Sequence, residues 1–244
     1  MSAGRRIGGG APGRPGTEGR AVMSRTEDCV LVADAIRQLH AAAGLPWPPP
    51  ANRPIVPVPL DRLIATHNLV HEEVPDLSRA AAGSYLARWG VRRPELLEDN
   101  SPLAGFLFAN ARGGYILVRA DDPLPRRRFT AAHELGHYLL HFLPRWQATK
   151  DVETYLEQDD AADMVREEEK AADDKSLSLP EMERQANQFA AELLMPESVC
   201  RAAREQYKER FRATLRFLEH HLAGDLLVSR EAARWRLRSL NITN

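Results

Sequence analysis

The chain has 244 residues, 43% of them hydrophobic and 27% charged, with a formal net charge of -1. That length suffices for one sizeable core, or a catalytic core with a helical appendage. So balanced a charge excludes a global electrostatic case for a nucleic-acid or membrane partner. Two cysteines, Cys29 and Cys200, rule out a disulfide framework or a multi-cysteine metal site. No apolar run approaches the ~20 residues that cross a bilayer, and the basic start MSAGRRIGGGAPGRPG lacks the apolar segment of a secretory signal. A cytoplasmic protein is expected.

Residues 1–22 are rich in Gly, Arg and Pro and are expected to form a disordered tail. Residues 23–45 should hold an N-terminal helix, capped by Thr26 and running to about Ala43, with Leu31, Ile36 and Leu39 inward. The run PWPPPANRPIVPVP, residues 46–59, breaks helical pattern and predicts an extended proline-rich linker. A core over 60–196 begins with a short helix, LDRLIATHNL. The β-prone runs at 103–109 and 115–119 flank Asn110-Ala111-Arg112-Gly113-Gly114, a hairpin signal. Asp122 and Pro123 then offer a cap and a first-turn proline for a helix, RRRFTAAHELGHYLLHF, that should stop before Pro144.

Residues 150–175 carry 11 Asp/Glu against 4 Lys/Arg with poor apolar periodicity, and predict a solvated insertion. Ser178 and Glu181 form a capping box around Pro180 and open a helix that ends before Pro196. One longer amphipathic helix should follow, with Val199, Ala203, Tyr207, Phe211, Leu215 and Leu218 on one side. The remainder of 197–244 resembles a helix-turn-helix, with Val228-Ser229 opening its second helix. Residues 199–239 are net basic by five charges. That pattern is compatible with direct DNA binding, although Leu226, Leu227, Ala232 and Leu237 also demand a core, and packing is the stronger account of these helices.

The chemistry concentrates at His133-Glu134-Leu135-Gly136-His137, an H-E-x-x-H sequence. On a helix, residues four apart lie about 40° from each other, one turn on. Two imidazoles then converge on one ion, with nitrogens ~2.0–2.1 Å from zinc. Glu134 leans toward the attacking water as general base. A catalytic zinc takes three protein ligands. The metzincin pattern would need Gly and His where Leu140 and Leu143 stand, and is excluded. His141 lies one turn beyond His137, but three ligands from consecutive turns of one straight helix close a tetrahedral face poorly.

The second helix supplies a better third ligand. At ~100° per residue from Glu183, Met182, Ala186, Phe189, Ala190, Leu193 and Leu194 form a buried stripe between about 240° and 20°. Glu183 sits at its edge and Asn187 beside it at about 40°. Glu181 and Glu192 fall near 160–180°, on the solvent side. Small Ala186 and Ala190 permit close helix approach.

RRRFTAAHELGHYLLH and ERQANQFAAELLMP together resemble the ImmA/IrrE family of bacterial metallopeptidases, tightly over 126–141 and 183–196 and more loosely over 55–125. The resemblance implies His133, His137 and Glu183 as zinc ligands, one zinc per chain, Glu134 as catalytic base and Asn187 as a supporting residue one turn on. It also implies a protein substrate, a helix-turn-helix transcriptional repressor whose cleavage relieves repression. The acidic stretch makes the gap between the metal helices longer than in the family pattern.

These features predict an α+β, zincin-like fold: a small twisted sheet beside the H-E-x-x-H helix, with a helical C-terminal part. The predicted function is a zinc endopeptidase. The alternatives are a non-proteolytic metal-binding regulator and an antitoxin-like protein that binds DNA or a repressor. An intact Glu134 favours the enzyme. Tyr115, Tyr138 and His141 are candidate donors to a developing oxyanion, and the hairpin at 103–119 is the expected template for an extended substrate strand.

Overall fold

The computed structural model describes residues 25–50, 54–149, 156–159, 178–211 and 214–242. The tail expected at 1–22 and most of the acidic insertion lie outside them.

Four strands form one sheet in the order β1-β3-β2-β4: β1 (Leu69–Val74), β2 (Gly105–Asn110), β3 (Gly113–Arg119) and β4 (Leu156–Asp159). β1 runs parallel to β3, and β2 is antiparallel to both β3 and β4. The predicted hairpin is present, with Asn110 opposite Gly113 across a two-residue turn. The Asn110 side chain accepts from the Arg112 N–H at 2.9 Å, the local bond by which Asn holds turns. Gly113 has φ +138°, and a Cβ there would lie 2.3 Å from the Asn68 carbonyl oxygen.

Alternation along β2 and β3 sends side chains to two cores. Leu107, Ala109, Ile116 and Val118 join the larger one. Phe106, Phe108 and Leu117 join a smaller one, built on α3 (Arg79–Arg88) and α4 (Pro94–Leu97). β2 is therefore buried along its whole length, and helices cover both faces.

The larger core gathers the other helices. α1 (Arg25–Ala42) contributes Val32, Ile36 and Leu39. Thr26, expected to cap it, has helical backbone. α2 (Leu60–Ala65) follows the proline-rich segment, whose Trp47, Ile55 and Val58 pack on the same core. α5 spans Leu124–His137, with Pro123 at the cap and Pro125 in the first turn; Asp122, expected to cap it, instead pairs with Arg126 at 3.1 Å. The helix does not stop at Pro144. A π turn, Tyr138–Phe142, leads into α6 (Leu143–Thr149), with the Leu143 N–H bonded to the Tyr138 carbonyl. Such a turn already breaks the α-type ladder, so a proline just after it costs less than one inside a regular helix.

α7 (Leu179–Leu194) has the predicted capping box, the Glu181 carboxylate accepting from the Ser178 N–H at 2.9 Å. It crosses α5 closely because Gly136 faces Ala186 and Phe189: a Cβ on Gly136 would lie 3.3 Å from the Ala186 Cα and 3.1 Å from Phe189 Cδ1. Phe189 is fully buried, and truncating such a side chain costs ~3–5 kcal/mol.

The single long helix expected after Pro196 is two, α8 (Glu197–Phe211) and α9 (Leu215–Leu226). Thr214 breaks the run by accepting the Phe217 N–H as an N-cap. α10 (Arg230–Ser239) follows a left-handed Leu227, and Ser229 caps it through the Ala232 N–H at 3.0 Å. Leu222, Leu226, Ala233 and Leu237 are buried in the common core. Several of the basic residues here are engaged internally: Arg234 with Glu219 at 3.3 Å, Arg201 with Glu197 at 2.7 Å, and Arg236 with Glu192. Among the described residues no helix is long and apolar enough to cross a membrane.

One expectation about substrate access changes. The hairpin, expected as the substrate's template, has the outer edge of β2 paired with β4 from within the acidic insertion, Leu156 lying opposite Ala109 and Asp159 opposite Phe106.

Candidate metal centre

α5 carries an unbroken buried stretch from Thr130 to His137. Its histidines stand one turn apart with Nε2 atoms 3.0 Å from each other and ring planes at 73°. From α7, Glu183 reaches both: Oε1 lies 2.9 Å from His137 Nε2 and Oε2 3.2 Å from His133 Nε2. Two imidazole nitrogens and a carboxylate oxygen thus cluster tightly enough to hold a metal ion.

The donor set fits a divalent ion. Donors at ~2.05 Å on three corners of a tetrahedron are ~3.3 Å apart, close to the three separations seen. His-His-Glu with one open position is also the donor chemistry of catalytic zinc sites. Burial works to raise the Glu183 carboxyl pKa, but the neighbouring His133 and His137 outweigh it and hold the group well below the ordinary carboxylate range.

Each histidine is gripped from behind. His133 Nδ1 lies 3.2 Å from Asn187 Oδ1, and His137 Nδ1 lies 3.2 Å from His141 Nδ1. His141 in turn places Nε2 3.0 Å from Gln185 Oε1. Burial, and then the neighbouring His137, push the His141 pKa down to about 4. His141 therefore backs a member of the cluster and is not one itself.

Glu134 is fully buried on the sheet side of α5. Its carboxylate lies against Gly105 at the start of β2: a Cβ there would come within 2.7 Å of Glu134 Oε1 and 2.5 Å of Thr130 Cγ2. Only a residue without a side chain leaves Glu134 where it is.

With this geometry in place, comparison with known families is decisive. The peptidase family described as the IrrE N-terminal-like domain matches residues 95–238, more than half of the chain. The chain belongs to this family. No curated protein matches this IrrE-type metallopeptidase. The matched region runs from α4 to α10 and includes His133, Glu134, His137, Glu183 and Asn187; α1 to α3 lie outside it.

The structure of the IrrE-type chain brings the predicted His133, His137 and Glu183 together and sets Asn187 behind the first. It also corrects the surroundings. Glu192, expected to face water, pairs with Arg236, while Glu181 closes the predicted capping box. The three candidate oxyanion donors are directed elsewhere. The Tyr138 hydroxyl donates to the Asn110 carbonyl at 3.3 Å, Tyr115 packs edge-on against Tyr85 in the smaller core, and His141 is held by His137 and Gln185.

Gly105, Gln185 and Asp28 escaped the sequence reading. Two left a signal. Asp28 precedes Val32 by four residues on the buried stripe of α1, and Gln185 precedes Phe189 by four on α7. A polar residue in phase with an apolar stripe points to a buried partner.

Proposed function

We propose that this metallopeptidase is a cytoplasmic, zinc-dependent endopeptidase, with one zinc held by His133, His137 and Glu183 and with Glu134 as general base. Its substrate is an extended segment of a helix-turn-helix transcriptional repressor, whose cleavage relieves repression. One observation carries the enzymatic reading: a second carboxylate, Glu134, is fully buried in the residue next to the first donor. Burying a carboxylate costs several kcal/mol, and a purely structural metal site gains nothing from it.

When bound, zinc supplies Lewis acidity to the scissile carbonyl and to the attacking water. The chain's own residues do the rest. Glu134 takes the water's proton and delivers it to the departing amine nitrogen as the C–N bond breaks. Asn187 Oδ1 accepts from His133 Nδ1, keeping the His133 Nε2 lone pair turned toward the cluster. A substrate strand aligned on β2 would pass Gly105, directly beside Glu134, by taking the place now held by β4. The family resemblance supports the repressor as substrate.

Glu134→Gln tests the base. The variant should bind zinc at wild-type stoichiometry and lose peptide cleavage, because a carboxamide cannot accept the proton. Wild-type cleavage by Glu134→Gln would remove the proposed role. Incubating the zinc-loaded enzyme with a purified helix-turn-helix repressor, and mapping fragments by mass spectrometry, tests the substrate; an uncut repressor would refute that part alone.

A further inference from the structure

We infer that Asp28, Gln185 and His141 form a directional hydrogen-bond relay that fixes the tautomer and ring orientation of His137, making the N-terminal helix part of the metal site. The inference rests on the proposed reading of His137 as a metal ligand.

The relay starts with a carboxylate in an unfavourable place. Asp28 is completely buried on the apolar face of α1. A charge there persists only if its oxygens are satisfied, and both are. Oδ1 accepts from Gln185 Nε2 at 2.6 Å and Oδ2 from Arg184 Nη1 at 2.5 Å. A carboxylate only accepts, so Gln185 must turn its NH2 toward Asp28. A flipped amide would set oxygen against oxygen.

That constraint passes inward. With its NH2 committed, Gln185 offers Oε1 to His141 Nε2 at 3.0 Å. Oε1 only accepts, so His141 carries its hydrogen on Nε2. His141 Nδ1 is then the acceptor, and the facing atom, His137 Nδ1 at 3.2 Å, must donate. The His137 hydrogen is thereby placed on Nδ1. Its Nε2 lone pair is left directed at the cluster, 3.0 Å from His133 Nε2 and 2.9 Å from Glu183 Oε1. Each link has one permitted direction, and the direction is set at Asp28.

Two further features agree. His141 lies inside the π turn Tyr138–Phe142, a helix irregularity often found at functional sites. In addition, the two histidines are oriented by different means. His133 leans on Asn187, an exposed residue of α7. His137 leans on a chain that ends in a buried charge outside the region matched by the family. Partners of this kind on a ligand histidine typically change metal affinity 10–100-fold.

The test uses the full chain and zinc alone, titrated against a chelator of known affinity. His137→Ala reports on the underlying reading; if it binds zinc like wild type, that reading fails whatever the relay does. Given its loss of zinc, His141→Phe should bind ~10–100-fold more weakly than wild type, and Asp28→Asn should weaken binding in the same direction. Ile36→Ala, a packing change on α1 away from the relay, should lower the melting temperature with zinc affinity unchanged. In 15N-histidine NMR of the wild-type protein, His137 should carry its proton on Nδ1, and Asp28→Asn should shift that tautomer balance. Unchanged affinity in both relay variants, a loss no larger than that of Ile36→Ala, or a His137 proton found on Nε2 would each overturn the proposal.

Discussion

Gly105→Ala is the sharpest perturbation of the proposed base. The added Cβ would lie 2.7 Å from Glu134 Oε1 and 2.5 Å from Thr130 Cγ2. Non-bonded heavy atoms settle at ~3.5 Å or more, so the carboxylate has to retreat by roughly 0.8 Å or α5 must move off the sheet. Thr130 yields little, because a β-branched side chain in a helix is stiff at χ1. Overpacking of this kind costs ~1–3 kcal/mol. A misplacement near 1 Å at the reacting group costs up to ~100-fold in rate. The proposed zinc donors lie on the α7 side of α5, so affinity should barely change. The expected signature is kcat lower by ~10–100-fold, a modestly lower melting temperature and unaltered zinc stoichiometry, measured on a cleaved peptide and by metal analysis. The double variant Gly105→Ala, Thr130→Ser removes one of the two clashes and should regain stability without regaining rate. Wild-type kcat in Gly105→Ala would show that Glu134 does not need its position against β2, and the assignment of the base would fall with it.

Four other outcomes can be checked. Glu183→Ala should weaken zinc binding far more than Glu192→Ala, whose effect should be a lower melting temperature from loss of its pairing with Arg236; equal zinc affinities would refute Glu183 as the third ligand. Gln158→Pro removes a ladder donor from β4 and should raise cleavage of an extended peptide if the substrate replaces β4 on β2; an unchanged or lower rate would place the substrate elsewhere. Burial works against the Asp28 charge, but the bonds from Arg184 and Gln185 hold its pKa below the ordinary value. Its stabilising contribution should be complete at neutral pH and fade only as pH falls through that lowered value, so Asp28→Asn should lose stability at pH 7 and flatten the acid limb of the melting curve; a variant whose acid limb matches wild type would contradict this. A chain starting at Met23 should fold and cleave as the full chain does, and a lower melting temperature would show that residues 1–22 carry structure.

The sequence announced the metal helices because their chemistry is periodic. Two histidines four apart, and a glutamate at the edge of an apolar stripe that ends in Leu193 and Leu194, need nothing beyond helical phase. The hairpin was equally local, written in Asn110 to Gly114. The strand β1 was not legible: its only buried residue is Leu69, so no alternation marks it. The helix α3 hid for a related reason, since its core contribution comes chiefly from Tyr85 and Leu86 among small residues. Pro144 misled because proline ends a regular helix, whereas here a π turn precedes it. The relay needed three dimensions. Asp28 and Gln185 are 157 positions apart, and only the packing of α1 on α7 brings them together.

The two flanks of α5 divide the work of the site, and this makes binding and chemistry separable by mutation. On one flank, Gly136 lets α7 approach, and that approach carries Glu183 to the histidines and Asn187 to His133 Nδ1. Gly136→Ala asks Phe189 and the α7 backbone to give by a few tenths of an ångström. Because all three donors span this contact, such a shift acts first on the separations among them, and hence on affinity. On the other flank, Gly105 lets β2 approach, and that contact touches Glu134 and Thr130 but none of the donors. A shift there acts first on proton transfer. The residues that admit these two neighbours are both glycines. The helix needs its donors turned to a partner helix and its base turned to a strand, and no single packed face could present both.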